Sequence, residues 1–503
     1  MTQVDHLGYL FADAVMLYPN REALIQEGLT LTYQELDDRC NRVARGLIDR
    51  GIKPGDRVAL LWSNDIRYME SMFGVMRAGA VAVPLNIKLG DGALDYVLTN
   101  SDSVAMIAGP DMEERARRLA AHIPAIRFVV GPDDLQQADA EFERPPYSPD
   151  DVCFQPYTSG STGRPKGVLL THRGQIWNAD IMRKAHLVDE TERALVAVPM
   201  YHKNAGMTLK IHLIAGASIV VLPAFDSTAV IAAIDRYKCT YIGGVPAMYR
   251  MLVNDEEALA RYDVSSLRYC SAGSADVPED LLLAFEEKFG APIGQGYGLT
   301  EGGPDVIIAP RWGIRKQASL GIPLPDCEVR LANPDDNTRD VPDGETGEMW
   351  TRNPGVTAGY YKLPEVTAAK IKDGWLATGD LMRRDADGYF YFVGRKDDMI
   401  NVGGENVYPK EVETILLQHP NVRDVAVVAA PHPVKGEAPV AVLVERVPGA
   451  ATEEEIKAFF FERGPAYAHP RRVLFVDALP LAGTGKIDRA RLQEMARGEA
   501  VTS

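Results

Sequence analysis

The residues best suited to chemistry lie in the segment Tyr157-Thr-Ser-Gly-Ser-Thr-Gly-Arg-Pro-Lys-Gly-Val168, where eight of the first ten are Gly, Ser, Thr, Lys or Arg. Backbone N–H groups freed by Gly160 and Gly163 could combine with the hydroxyls of Thr158, Ser159, Ser161 and Thr162 and the charge of Lys166 to hold a triphosphate. A flexible polar linker has a similar composition. A linker has no reason, though, to place a lysine just after a Gly-x-x-Gly turn and then enter the apolar run Val168-Leu-Leu170. The segment is not a Walker A loop, because Gly160 and Gly163 are too close together and Gly167 follows the lysine. In Gly294-Gln-Gly-Tyr-Gly298 the third glycine comes too early for a dinucleotide fingerprint, and there is no G-x-S-x-G elbow. The usual NTPase, dehydrogenase and hydrolase readings are thereby removed.

Elements able to position such a loop are legible around it. Thr32-Tyr-Gln-Glu35 fits a capping box opening an amphipathic helix that runs to Arg50. Arg57–Trp62 and Ala80–Pro84 read as buried strands with a helix from Tyr68 to Ala78 between them. The alternation returns between 192 and 300, with strands at Val196–Pro199, Ser218–Leu222 and Tyr241–Gly244 and helices at Ser227–Tyr237 and Pro278–Phe289. Such βαβ texture predicts doubly wound, largely parallel sheets, whose ligand-bearing loops sit at the carboxyl ends of strands. From 320 to 395 short strands separated by Gly, Pro and Asp turns predict a small β-rich subdomain. A further unit follows, with helices at Pro409–Leu417 and Thr452–Phe461 and strands at Val425–Ala429 and Val440–Val444. The expected fold is therefore α/β, a large N-terminal domain over 1–396 and a smaller α+β C-terminal domain over 397–503.

With 503 residues, 46% hydrophobic and 25% charged, the chain is long enough for several cores and is not disordered. A net charge of −16 weighs against nucleic-acid binding. Cys40, Cys153, Cys239, Cys270 and Cys327 are odd in number and scattered, which predicts reduced thiols packed as small apolar groups. The apolar run Leu213–Phe225 has only 13 residues, too few to span a bilayer, and no signal peptide is evident. A cytoplasmic protein without a transmembrane anchor is the expectation, with a homodimer left open.

At this point the sequence closely resembles the adenylate-forming superfamily of acyl-CoA synthetases, luciferases and peptide-synthetase adenylation domains. Segment 157–168 is similar to its signature loop, and further matches follow in order: Tyr201-His202, Gly296-Tyr-Gly-Leu-Thr-Glu301, Thr378-Gly-Asp380, Gly394-Arg-Lys-Asp-Asp398, Gly403-Gly-Glu-Asn-Val-Tyr-Pro409 and Thr484-Gly-Lys486. The resemblance spans essentially the whole chain. It implies that ATP activates a carboxylic acid to an acyl-adenylate with release of pyrophosphate, and that the thiol of coenzyme A then displaces AMP. It implies Thr158, His202, Glu301 and Lys486 as the catalytic set, with Lys486 swinging in during adenylation. ATP contacts would further include Gly273, Ser274, Ala275, Gly296, Tyr297, Gly298, Thr300, Asp380 and Arg395. Glu301 would carry Mg²⁺, which suits one carboxylate plus nucleotide oxygens. Asp397 falls at the family's hinge, so the C-terminal domain is expected to be mobile.

The same resemblance places the acid beside Tyr201, His202, Lys203, Asn204, Met207, Val245, Ala247, Met248, Gly273 and Gly298, and coenzyme A near Gly403, Gly404, Glu405, Arg471 and Arg472. Lys203 is expected to point to solvent; the alternative is that it pairs with a distal anion of a dicarboxylate. Where relatives carry a lysine two residues before Pro470, this chain has Ala468. The rival functions are loading of a carrier-protein phosphopantetheine, a luciferase-type oxygenase and a non-catalytic binding relative. A scaffold has no chemical need for Lys166, Glu301, Asp380, Arg395 and Lys486 together.

Overall fold

In the computed structural model the described residues are 4–159, 164–273, 277–303, 305–403, 405–481 and 487–498, the Ser159 side chain excepted. Thr32 and Glu35 close the predicted capping box: Thr32 Oγ1 accepts from the Glu35 N–H at 3.2 Å and Glu35 Oε2 from the Thr32 N–H at 2.8 Å. The helix Tyr33–Asp49 buries Leu36, Cys40, Val43 and Leu47 against the helix Arg67–Arg77. The two backbones approach closely there. A Cβ at Gly74 would stand 2.4 Å from Val43 Cγ1, so no larger residue fits without displacement.

The chain divides into two compact units, one of Met1–Val329, Trp350–Thr378 and Asp387–Phe390, the other of Arg330–Met349, Gly379–Ala386 and Tyr391–Ser503. The first unit holds two large sheets. One runs, in spatial order, through Ile322–Pro323, Asp305–Ile308, Ile293–Gly298, Tyr269–Ala272, Tyr241–Gly244, Arg193–Val196, Ser218–Val221, Glu22–Gln26 and Leu29–Thr32. The six consecutive strands from Ile293–Gly298 to Glu22–Gln26 pair in parallel, as the alternating pattern requires. The other sheet is built on the parallel strands Arg57–Leu61, Val81–Pro84, Ser103–Ala108 and Phe128–Val130, and continues through Val152–Phe154 into the antiparallel strands Pro165–Thr171 and Gly359–Tyr360.

Two differences from the sequence reading are local. The strand expected at 196–199 lies at Arg193–Val196, because the apolar run continues past the residues whose N–H and C=O groups find ladder partners. The edge hairpin Glu22–Gln26 and Leu29–Thr32, turned by Glu27 and Gly28 at φ +82°, was not foreseen. In the second unit the strands Ile400–Val402, Glu405–Val407, Val422–His432, Gly436–Glu445 and Arg472–Phe475 form one sheet, with helices Pro409–Leu416 and Glu453–Phe461 sharing a core with it. Ala468 is buried in that core, where a lysine ammonium would lose its water. The five cysteines form no disulfide and all but Cys327 are buried, their thiols pushed upward by burial.

Candidate active site

The glycine-rich segment is a hairpin. Tyr157, Thr158 and Ser159 pair antiparallel with Gly167, Lys166 and Pro165, so Thr158 and Lys166 stand opposite each other. The expected tip residues Gly160, Ser161, Thr162 and Gly163 lie outside the described residues, as do Ser274, Ala275, Gly404 and Lys486.

Next to the Lys166 strand runs Gly359–Tyr360, with Tyr360 opposite Val168. Tyr360 was not anticipated, yet it joins the group directly. Its hydroxyl donates to Glu301 Oε1 at 3.2 Å, and Thr158 Oγ1 donates to the same oxygen at 3.1 Å. The Thr357 N–H donates to the Glu301 carbonyl at 2.8 Å, and the Lys166 ammonium stands 5.8 Å from the Tyr360 ring centroid. Glu301 itself sits in the single turn Thr300–Gly302 that follows the strand Ile293–Gly298. Three chain segments remote in sequence thus converge on one carboxylate. Both hydroxyls take Oε1; among the described residues Oε2 has no hydrogen-bond donor.

The strand leading to Glu301 runs close to its neighbour. A Cβ at Gly294 would lie 1.6 Å from the Tyr269 hydroxyl, so the glycine is sterically required. Further along, Gly296, Tyr297 and Gly298 are half-buried and Tyr297 pairs with Ile307. Gly273 follows the adjacent strand, and its N–H donates to the Gly244 carbonyl at 3.3 Å.

The acid-pocket residues gather on the same unit. His202 caps the helix Lys203–Ile214 through its backbone and is half-buried, its ring 4.6 Å from that of Tyr201. Burial pushes the Tyr201 phenol up to about 12, and its buried hydroxyl has no hydrogen-bond partner among the described residues. Val245 precedes the helix Pro246–Asn254, which carries the buried Met248. The expectation that Lys203 points to solvent is overturned. Its ammonium is part-buried and donates to the Gly298 carbonyl, which costs less than leaving a lysine unpaired at the cleft. Asp305 lies near both Lys203 and the buried Lys210; burial raises its carboxyl and the two lysines pull it back down. Burial lowers the Lys210 ammonium to about 8, and Gln175 Oε1 accepts from it at 2.6 Å.

In the second unit, Asp380 is 9% exposed on the strand Trp375–Arg384, and its Oδ1 stands 3.2 Å from Arg395 Nε. Lys396 donates to the Pro334 carbonyl at 2.8 Å and pairs with Glu348 at 3.0 Å, while Asp398 stands 3.4 Å from Arg489. Between these anchored neighbours Asp397 is exposed. Gly403 takes φ +64° and Glu405 is exposed on the following strand. Arg471 and Arg472 line a small cavity with His432 and Arg497.

A family model described as AMP-binding enzyme matches residues 11–361, and one described as AMP-binding enzyme C-terminal domain matches 411–486. The chain belongs to the AMP-binding enzymes. A feruloyl-CoA synthase of an Amycolatopsis species is 41% identical over 93% of this chain and 94% of its own length. A long-chain-fatty-acid–CoA ligase of Escherichia coli is 31% identical over 97% and 94%. Among solved structures, an anthranilate CoA ligase in complex with anthranoyl-AMP superposes with a TM-score of 0.90 at 27% identity, covering 98% of this chain and 97% of that one.

Proposed function

We propose that this chain, an AMP-forming acid–coenzyme A ligase, acts on an aromatic carboxylic acid and uses the residues gathered around Glu301 to position ATP. In the first half-reaction a carboxylate oxygen attacks the α-phosphorus of ATP. A P–O bond forms, the bond to pyrophosphate breaks and an acyl-adenylate results. In the second, the sulfur of coenzyme A attacks the activated carbonyl, the thiol proton passes to solvent, and AMP leaves with the former bonding pair. Reactions of this kind depend mainly on positioning and charge stabilisation, and the donor set fits that need.

The convergence of the Thr158 and Tyr360 hydroxyls on Glu301, with the Lys166 ammonium 5.8 Å from the Tyr360 ring, is the observation that carries the reading. Thr158 and Tyr360 hold Oε1 and leave Oε2 without a donor among the described residues, and the Lys166 ammonium lies 5.8 Å from the Tyr360 ring. No group of three or more acidic, histidine or cysteine residues forms an ion site among the described residues. A single carboxylate with a free oxygen suits Mg²⁺, which shares its coordination with phosphate oxygens and water. Bound there, Mg²⁺ would neutralise charge on the ATP phosphates. In this proposal Lys486 stabilises the adenylation transition state, Asp380 and Arg395 meet the ribose, and Gly403, Gly404, Glu405, Arg471 and Arg472 serve coenzyme A. Asp397 is the hinge of a C-terminal domain over 397–503.

The aromatic acid draws on the 41% identity to a feruloyl-CoA synthase. Lys203 donates to the Gly298 carbonyl and lies near the Asp305 carboxyl, so groups of the protein already meet it. The cytoplasmic setting we infer draws on five cysteines without a disulfide. No helix among the described residues is long and apolar enough to cross a membrane.

A panel of aliphatic, aromatic and dicarboxylic acids with ATP and Mg²⁺, read by pyrophosphate release and then repeated with coenzyme A, tests the proposal. Pyrophosphate, AMP and thioester formed from aromatic acids are expected. Pyrophosphate without thioester would turn the assignment toward a carrier-protein acceptor, and silence with every acid would end it.

A further inference from the structure

Consecutive residues of a strand point to opposite faces. Thr158 and Tyr360 hold Glu301, so their chain neighbours Tyr157 and Tyr361 turn the other way. The registers put these two phenols in one row. Tyr157 stands opposite Gly167, and the Tyr361 N–H donates to the Gly167 carbonyl from the far side at 2.8 Å. Thr158 and Tyr360 thus lie on the face that meets Glu301, and Tyr157 and Tyr361 on its reverse.

Both phenols end on a single turn. The Tyr157 hydroxyl donates to Asn100 Oδ1 at 2.7 Å, and the Tyr361 hydroxyl donates to Asp102 Oδ2 at 2.7 Å. Asn100 is the last residue of the helix Asp91–Asn100, and Asp102 lies just before the inner strand Ser103–Ala108. This turn has few ways to move. Ser101 and Ser103 are fully buried with their hydroxyl oxygens 2.7 Å apart, and Ser101 Oγ donates to the Leu98 carbonyl at 3.1 Å. Asp102 takes φ +54°, a conformation that aspartate adopts more readily than most residues.

The row is closely built. A Cβ at Gly167 would stand 2.9 Å from Gln155 Nε2 and 3.0 Å from Tyr157 Cζ, so the Tyr157 ring takes the space a side chain there would need. Gln155 is buried and donates to the Tyr157 hydroxyl at 3.4 Å. Burial pushes that phenol up, so it stays protonated and donates in turn. On the other side the Arg57 guanidinium lies 4.4 Å from the Tyr361 ring centroid, and Lys362 donates to Asp102 Oδ1 at 2.8 Å. The strands Tyr157–Ser159 and Gly359–Tyr360 are only three and two residues long, so backbone pairing alone fixes the Thr158 and Tyr360 hydroxyls weakly.

We propose that the turn from Asn100 to Asp102 is a positioning anchor for adenylation. Through Tyr157 and Tyr361 it sets where Thr158 and Tyr360 stand, and through those two hydroxyls it sets the Glu301 carboxylate. The proposal rests on the ligase reading above and adds to it residues that act through the Glu301 donors. A carboxylate that shares a cation with phosphate oxygens tolerates displacements of only about 0.5 Å. Two phenols braced on one rigid turn supply that precision where the short strands do not.

The test measures ATP–pyrophosphate exchange in the full chain for Tyr157→Phe, Asn100→Leu and Tyr361→Phe. Exchange should slow about fivefold for the first two and about twofold for the third, whose acceptor Asp102 is exposed. Asn100→Asp keeps an acceptor and should recover most of what Asn100→Leu loses. Thioester formation from supplied acyl-adenylate should fall less than about twofold in each. A paired background separates positioning from packing: in a Thr158→Val chain the hydroxyl being positioned is already gone, so Tyr157→Phe should have no further effect. A Tyr157→Phe loss undiminished in that chain would overturn the inference. So would exchange unchanged by both Tyr157→Phe and Asn100→Leu, or equal losses in the two half-reactions. An unmodified enzyme that exchanges no pyrophosphate with any acid would instead reject the ligase reading beneath it.

Discussion

Tyr360 contributes to adenylation through Glu301, and replacing it with phenylalanine isolates that contribution. Tyr360→Phe keeps the ring that faces Lys166 at 5.8 Å and removes only the hydroxyl that donates to Oε1 at 3.2 Å. A hydrogen bond to a charged acceptor contributes about 1.5–3 kcal/mol. Glu301 is half-buried and Thr158 still holds the same oxygen at 3.1 Å, which points to the lower end. A loss of about 1.5 kcal/mol corresponds to roughly tenfold in rate. The assay is ATP–pyrophosphate exchange at saturating acid. In a Glu301→Gln background the acceptor is neutral and the bond about half as strong, so the same change should slow exchange only about threefold. A Tyr360→Phe effect under about twofold refutes the reasoning. So does a tenfold loss undiminished in the Glu301→Gln enzyme, because the hydroxyl would then act through something else.

Lys486→Ala should strongly slow pyrophosphate release yet spare thioester formation from supplied acyl-adenylate; equal losses in both half-reactions would reject its assigned role. Asp397→Pro should hold the chain in one conformer and impair one half-reaction more than the other, and normal rates in both would remove the hinge. Arg311 and Glu192 form a buried pair at 2.9 Å. Arg311→Met should therefore cost about 3 kcal/mol by urea unfolding, the low end because Arg268 remains 3.9 Å from the carboxylate, and adding Glu192→Gln should restore part of it. Burial lowers His6 to about 3 and His172, His186 and His212 to about 4. Each has a folded pKa below its unfolded one, so unfolding takes up protons as pH drops below the unfolded value near 6.5. Stability is then full above that pH and declines toward 5 by up to about 1.4 kcal/mol per pH unit for each histidine. A urea midpoint that stays level between pH 7 and 5 would contradict this.

Local patterning made much of the architecture legible. The Thr32–Glu35 box, the strands Arg57–Leu61 and Val81–Pro84 and the helix Ser227–Tyr237 follow from residues a few positions apart, which is the range over which capping and periodicity act. The loop around Thr158 and Lys166 was recognisable because its composition is itself the chemistry. Edge pairing was not legible in the same way: the hairpin turned at Glu27 and Gly28 joins the sheet only because Glu22–Gln26 finds Ser218–Val221 far along the chain.

The amino-acid order alone decided which groups could handle phosphate and where helices and strands would alternate. Folding decided what those groups meet. Tyr360 reaches Glu301, Lys203 turns onto the Gly298 carbonyl rather than into water, and Tyr157 seats on Asn100 at the end of a helix. Such partnerships link residues tens of positions apart. Their existence depends on sheet order and on which polar atoms burial forces to find a partner, and neither is written in any local run of side chains.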